Sequence, residues 1–203
     1  PSSPSQGGLG VHIAMSGQAC REYEKFFDLN MNWSEFFALA MNFPHNFTRL
    51  DIAIDDFKGY FTIKQLYRTA KAGCMTAQRV RKARMFETFD IADGKSDGMT
   101  FYVGRADWMF RFYDKKAERG AAGFDLEDYL KTWNRYEIQL RGDLATEAAH
   151  VLAFEQYSLG AFAKGFFSSK IDFKVKNKND SNKSRWKSKS WWTEFLGDCE
   201  KVY

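Results

Sequence analysis

The chain has 203 residues, 44% apolar and 17% aromatic, enough to bury a sizeable core in one domain and too apolar for a disordered polymer. Its 30 basic and 26 acidic side chains leave a net charge of +4 that is unevenly placed, because residues 170–190 hold eight basic and two acidic residues against 22 and 24 elsewhere; that local excess suits a polyanionic partner such as nucleic acid. No apolar run reaches the roughly 18 residues of a membrane span, and Cys20, Cys74 and Cys199, odd in number and without a CxxC pair, exclude a disulfide framework and a thiolate zinc site and fit a reduced, cytoplasmic setting.

In chain order, residues 1–8 (PSSPSQGG) read as a flexible lead, and that lead and the abrupt ending EKVY are expected to be cut points in a longer chain. GVHIAM alternates as a strand, and SGQACREYEKFF reads as a helix starting near Ser16. Asn32 can cap a second helix, WSEFFALAM, which Pro44 excludes from continuing. FTRLDIAIDDF is a strand with Leu50, Ile52 and Ile54 on one face and Asp51, Ala53 and Asp55 on the other. TIKQLYRTAKAG is a Thr-capped, Gly-terminated helix. Residues 83–116 hold three alternating runs separated by ADGKSDG and RADW, the pattern of an antiparallel meander. Gly120 and Gly123 mark a loop leading into a short helix near Asp128. WNRYEIQLRG is a strand with Tyr136, Ile138 and Leu140 inward and Glu137, Gln139 and Arg141 outward, and DLATEAAHVLAFEQYSLGAFAKGFF is one long helix capped at Asp143. Strands joined mostly by hairpins, with helices inserted, specify an α+β fold: a central antiparallel β-sheet with helices packed on one face.

Three strands thus offer polar faces. One carries Asp51 and Asp55, one Glu137 and Gln139, and one Arg111, Tyr113 and Lys115. Each alone is what a half-exposed antiparallel sheet presents to solvent, and a lone tyrosine there can be a packing residue. Together they can do more. Converging carboxylates suit a hard divalent cation, Mg²⁺ or Mn²⁺. A phenol, poorly nucleophilic while protonated, gains chemical use where a base or cation supports its ionised form, and a phosphodiester needs its charge neutralised by a metal or a lysine. Tyr113 with a carboxylate-held metal and Lys115 or Lys116 therefore makes a site for transesterifying a DNA strand.

Five blocks in order, FTRLDIAIDD, GMTFYVGR, FRFYDKKAER, WNRYEIQLRG and SRWKSKSWWTEF, resemble the Rep_trans family: rolling-circle plasmid replication initiators and the MOBT-type relaxases of Gram-positive conjugative elements. GVHIAMSGQACREYE is closer to the relaxase branch. The resemblance, over residues 9–200, implies a rolling-circle endonuclease-like fold and a relaxase that nicks one strand at an origin of transfer, leaving a 5′-phosphotyrosyl link and a free 3′-OH; a replication initiator with the same chemistry, or a non-catalytic origin-binding module, is the alternative. It implies Tyr113 as nucleophile and Asp51 and Glu137 as metal ligands, with Asp55 and Gln139 behind them. It implies single-stranded and duplex origin DNA and a host helicase as partners, and no nucleotide cofactor. The wider superfamily uses a His-x-His metal pair; here His12, His45 and His150 are scattered, and His12, on the polar side of the first expected strand, is the one that could reach the site.

Arg105, Arg111 and Arg141 are candidate phosphate contacts, Tyr102 is a weaker candidate nucleophile, and Gly104 serves the tight turn into RADW. Residues 9–176 are expected to be the catalytic domain. Residues 177–203 form a basic, Trp-rich segment whose Lys183, Arg185, Lys187 and Lys189 could touch DNA backbone, while the helix in WWTEFLG packs its aromatics on the body.

Overall fold

The computed structural model describes residues 11–26, 32–154 and 157–197. Its centre is a five-stranded sheet built from β1 (Arg49–Asp56), β3 (Ala83–Phe89), β4 (Ser96–Gly104), β5 (Trp108–Asp114) and β6 (Asn134–Arg141), in the order β1-β6-β5-β4-β3 with every neighbouring pair antiparallel. β6 enters between β1 and β5 although it follows them in sequence. That insertion brings the carboxylates of β1 and β6 and the tyrosine of β5 onto adjacent strands. A second, two-stranded sheet pairs β2 (Met75–Ala77) with β7 (Ile171–Phe173); neither was expected, since three-residue strands carry too little alternation to stand out.

One face of the large sheet is apolar. Ile52, Phe101, Val103, Phe110, Phe112, Tyr136, Ile138 and Leu140 are buried there under α3 (Ile63–Lys71), α5 (Asp143–Phe154) and α6 (Leu159–Lys170). Tyr136 stacks on Phe61 (centroids 4.8 Å apart) and donates its hydroxyl to buried Asp56 (2.6 Å), which also accepts the backbone N–H groups of Lys58, Gly59 and Tyr60. One buried carboxylate thereby organises the turn after β1 and is fully satisfied. α7 (Ser190–Leu196) adds Trp192 and Phe195 to the same core. Burying side chains of that size is worth roughly 1.5–3 kcal/mol each, so the aromatics of this segment are part of the fold.

Local signals behave as the sequence suggests. Ser16 caps α1 (Gly17–Glu24), Asn32 and Glu35 form a reciprocal capping box on α2 (Trp33–Ala40), and Thr62 caps α3. Gly104 is needed at the β4–β5 turn, because a Cβ there would lie 2.6 Å from Met109 Cα. Other expectations are corrected. Residues 11–16 form no strand, and Val11 and Ile13 face solvent: among the described residues the segment pairs with no other strand, and alternation alone does not make one. The short helix α4 (Lys115–Ala121) precedes Gly123 instead of following it, because Asp114 caps it directly at the end of β5 by accepting the N–H of Ala117 (2.8 Å). The long helix is two, α5 and α6, with Ser158 capping the second; Asp143 is the first residue of α5, after Gly142 at φ 57°. Phe27 of the first expected helix lies outside the described residues.

Candidate active site

The other face of the sheet is polar, and among the described residues α3, α5 and α6 all pack on the opposite face. Residues directly opposite across antiparallel strands share a face, so the register lays out its rows. One row reads Ala53, Glu137, Arg111, Tyr102, Arg84; the next reads Asp55, Arg135, Tyr113, Thr100, Phe86; a third begins Asp51, Gln139, Met109, Gly104. Asp51 and Glu137 are therefore diagonal neighbours, and so are Glu137 and Tyr113.

Tyr113 is 8% exposed. Its Oη donates to Glu137 Oε1 at 2.7 Å, and the other carboxylate oxygen accepts from Arg111 Nε at 2.8 Å and from a second Arg111 nitrogen. The Arg111 guanidinium lies 5.2 Å from the Tyr113 ring centroid and the Lys115 ammonium 5.5 Å. Burial first, and then the Glu137 hydrogen bond and charge, push the Tyr113 phenol well above its ordinary value, against the opposing pull of Arg135 and Arg111. The resting phenol thus holds its proton, with an acceptor already in place. Burial works against the Arg111 charge, but Glu137, helped by Tyr113 and Tyr102, outweighs it and raises its pKa.

Each oxygen-bearing candidate on β1 and β6 faces an arginine. Arg49 pairs with Asp51 (Nε to Oδ1 2.8 Å), Arg135 grips Asp55 through two 2.7 Å bonds, and Arg141 donates to the Gln139 carboxamide at 2.9 and 3.1 Å. Trp133 Nε1 also donates to Asp55 (2.7 Å). The Asp51 hydrogen bond raises the Arg49 pKa first and foremost, and Glu137 adds to it while Arg111 opposes, so Asp51, Arg49, Glu137 and Arg111 form one field of alternating charge. Sequence reasoning missed Arg49 and Arg135. Their positions two residues from Asp51 and opposite Asp55 make them same-face partners, but the second relation needs the β1–β6 register.

Lys115 stands at the start of α4 and not on the β5 face. It is buried and paired with Glu118, yet its charge still lies over the tyrosine ring. Lys116 lines a separate cleft of about 270 Å³ on the helix side with Lys64, Lys131 and Trp133. Arg105 pairs with Asp107 in the β4–β5 turn (2.7 Å). His12 is exposed in the non-regular segment. In the tail, Arg185 is held by Asp180 through 2.8 and 2.7 Å bonds, beside Lys183 in a single 3-10 turn, and Lys187 is exposed while Lys189 precedes α7.

No three His, Cys, Asp or Glu side chains cluster as metal ligands among the described residues. The chemistry of the donors still fits a hard cation: Mg²⁺ commonly takes one or two carboxylates and completes its shell with water, and Asp51, Glu137 and Gln139 are neighbouring oxygen donors on one face.

An open-faced antiparallel sheet with a tyrosine hydrogen-bonded to a carboxylate defines a class that comparison makes specific. Residues 45–203 match the replication initiation factor family, Rep_trans, and residues 2–39 match the rolling circle replication initiation protein N-terminal domain. The chain belongs to the Rep_trans family. NicK of Bacillus subtilis (strain 168), a candidate DNA relaxase, is 35% identical over 198 residues, which are 95% of this chain and 55% of NicK, so the chain spans about half the length of that curated relative. A solved rolling circle replication initiator protein from Geobacillus stearothermophilus superposes with a TM-score of 0.77 at 37% identity, over 93% of this chain and 69% of that one. No helix among the described residues is long and apolar enough to cross a membrane.

Proposed function

We propose that this chain carries the catalytic centre of a DNA relaxase that nicks one strand of an origin through Tyr113. The observation that carries the reading is the Tyr113 Oη to Glu137 Oε1 hydrogen bond of 2.7 Å on the open face of the sheet: a nucleophile, its proton acceptor and, in Arg111, the group that orients the acceptor. Tyr113 Oη forms a bond to phosphorus, the P–O3′ bond breaks, the phenolic proton passes to Glu137, and the departing 3′ oxygen is protonated from solvent. The products are a 5′-phosphotyrosyl link and a free 3′-OH. Burial and Glu137 keep the free phenol protonated, so the attacking oxygen has to give up its proton on the way to phosphorus, and Glu137 is the acceptor already in place.

Arg111 and Lys115, both over the Tyr113 ring, stabilise the negative charge passing from phenol to phosphate. Asp51, Glu137 and Gln139 would hold a Mg²⁺ or Mn²⁺ ion, which would neutralise the non-bridging phosphate oxygens. Asp55, tied to Arg135 and Trp133, serves instead to position Arg135 beside Tyr113. Origin DNA in single-stranded and duplex form is the substrate and partner, with a host helicase following the nick and the cytoplasm as the setting. The likeness to a replication initiator supports a second reading, the same chemistry at a plasmid replication origin.

A labelled single-stranded origin oligonucleotide tests the chemistry. The expected result is cleavage with a protein–DNA adduct that survives denaturation. Cleavage without an adduct would mean a hydrolytic nuclease, and binding without cleavage an origin-binding module; either would overturn the proposal.

A further inference from the structure

Phe86 is 60% exposed on β3, an edge strand at the end of the sheet. A single exposed aromatic is common on a protein surface; the place of this one is what matters. It stands in the same cross-strand row as Tyr113, with only Thr100 between them, and two strand spacings put the two residues roughly 10 Å apart. Its ring meets that of Tyr102 edge-on, with centroids 5.5 Å apart and planes at 89°. Tyr102 in turn lies opposite Arg111 on one side and Arg84 on the other. Exposed Arg81 and Lys82 lead into the same strand. Aromatic faces flanked by guanidinium and ammonium groups match single-stranded nucleic acid, whose bases stack while its phosphates seek cations.

We infer that Phe86, steadied by Tyr102, is a stacking platform for a base of the single strand next to the scissile phosphate, with Arg84 on the backbone of that nucleotide. The inference rests on the reading of Tyr113 as the nicking residue for the choice of strand position, and it adds the path by which the strand leaves the site: across β4 and off the β3 edge. Phe86 is a positioning residue. It lies too far from Tyr113 Oη to touch the reacting atoms.

The test compares a fluorescein-labelled oligothymidylate with an abasic oligonucleotide of equal length. Base–aromatic stacking predicts that Phe86→Ala weakens oligothymidylate binding by about tenfold in Kd, leaves abasic binding unchanged and leaves the salt slope unchanged, whereas Phe86→Trp restores affinity. Arg84→Ala should instead flatten the salt slope by about 0.7, the value for one phosphate contact on a single strand, with both oligonucleotides. Equal affinity of wild type and Phe86→Ala for oligothymidylate would overturn the inference, as would a change confined to the sedimentation of the protein, which would make the β3 edge a contact between two copies. The same titration in a Tyr113→Phe background separates the two readings. No Phe86 dependence in either background, with normal nicking by the protein that keeps Tyr113, sinks the platform alone, and retained Phe86 dependence without any nicking by that protein sinks the chemistry alone.

Discussion

Tyr113 and Glu137 meet diagonally across β5 and β6: Tyr113 is registered opposite Arg135, yet its hydroxyl reaches along to Glu137 Oε1 at 2.7 Å. The direct cross-strand partner of Tyr113 is thus a cation, and the diagonal one a base. A phenol in that corner can lose its proton in one direction and have its charge met in the other.

Removing only the hydroxyl isolates the chemistry. Tyr113→Phe keeps the ring in its place but deletes the donor to Glu137, a hydrogen bond to a charged group worth about 1.5–3 kcal/mol at most. With Arg111 still bound to the other oxygen of Glu137, the melting temperature should fall by only a few degrees, while nicking and the covalent adduct vanish. Denaturing electrophoresis and mass spectrometry read the outcome, and an adduct on Tyr102 would reassign the nucleophile.

Glu137→Gln keeps an oxygen that can accept the Tyr113 hydrogen bond but weakens its ability to take the proton. Loss of a general base costs about 10²–10⁴ in rate, so single-turnover nicking should drop by that much while DNA affinity stays within a few-fold. Unchanged nicking would leave Glu137 a structural acceptor.

The raised Tyr113 phenol gives a pH signature whose sign is definite. A folded-state pKa above the unfolded value of about 10 means that the contribution of this group to stability is complete below pH ~10 and is lost as pH rises toward the folded pKa. Tyr23 and Tyr136 are raised as well, Tyr23 by burial and then Glu35, Tyr136 by burial and then Asp56. In an absorbance titration of tyrosinate, wild type should show a late-ionising group of tyrosines that shrinks by one in Tyr113→Phe. A Tyr113 that ionises with the exposed tyrosines would remove the basis for coupled proton transfer.

Mn²⁺ binding, followed by paramagnetic resonance without DNA, should weaken in Asp51→Ala and strengthen in Arg49→Ala, because the guanidinium competes for the same carboxylate. Equal affinity in both variants would place the ion elsewhere.

The tail divides into core and surface. Trp192 is fully buried, so Trp192→Ala should cost about 3–5 kcal/mol in a denaturant titration. Neutralising Lys183, Arg185, Lys187 and Lys189 together should leave stability nearly intact and flatten the salt dependence of duplex binding, by up to about 0.9 per lost phosphate contact. An unchanged slope would make the run a solvated connection.

The alternating runs already assigned residues 50–55 of β1 and 136–141 of β6 to their faces, because side-chain direction in a strand has a period of two and burial follows it. Caps at Ser16, Asn32 and Thr62 were equally legible, since capping is a contact between residues three apart. Alternation at 11–15 misled, because a strand exists by virtue of a paired neighbour and the segment pairs with none among the described residues. What the chain could not state by itself was which strands touch. Placing β6 between β1 and β5 is a long-range choice made by burial of the whole apolar face, and it sets Glu137 beside Tyr113 and Arg135 against Asp55, while the register of the β3–β4–β5 meander puts Phe86 in line with Tyr113. Residue types and faces were local properties of the sequence. The site is a property of register, which the packed tertiary structure decided.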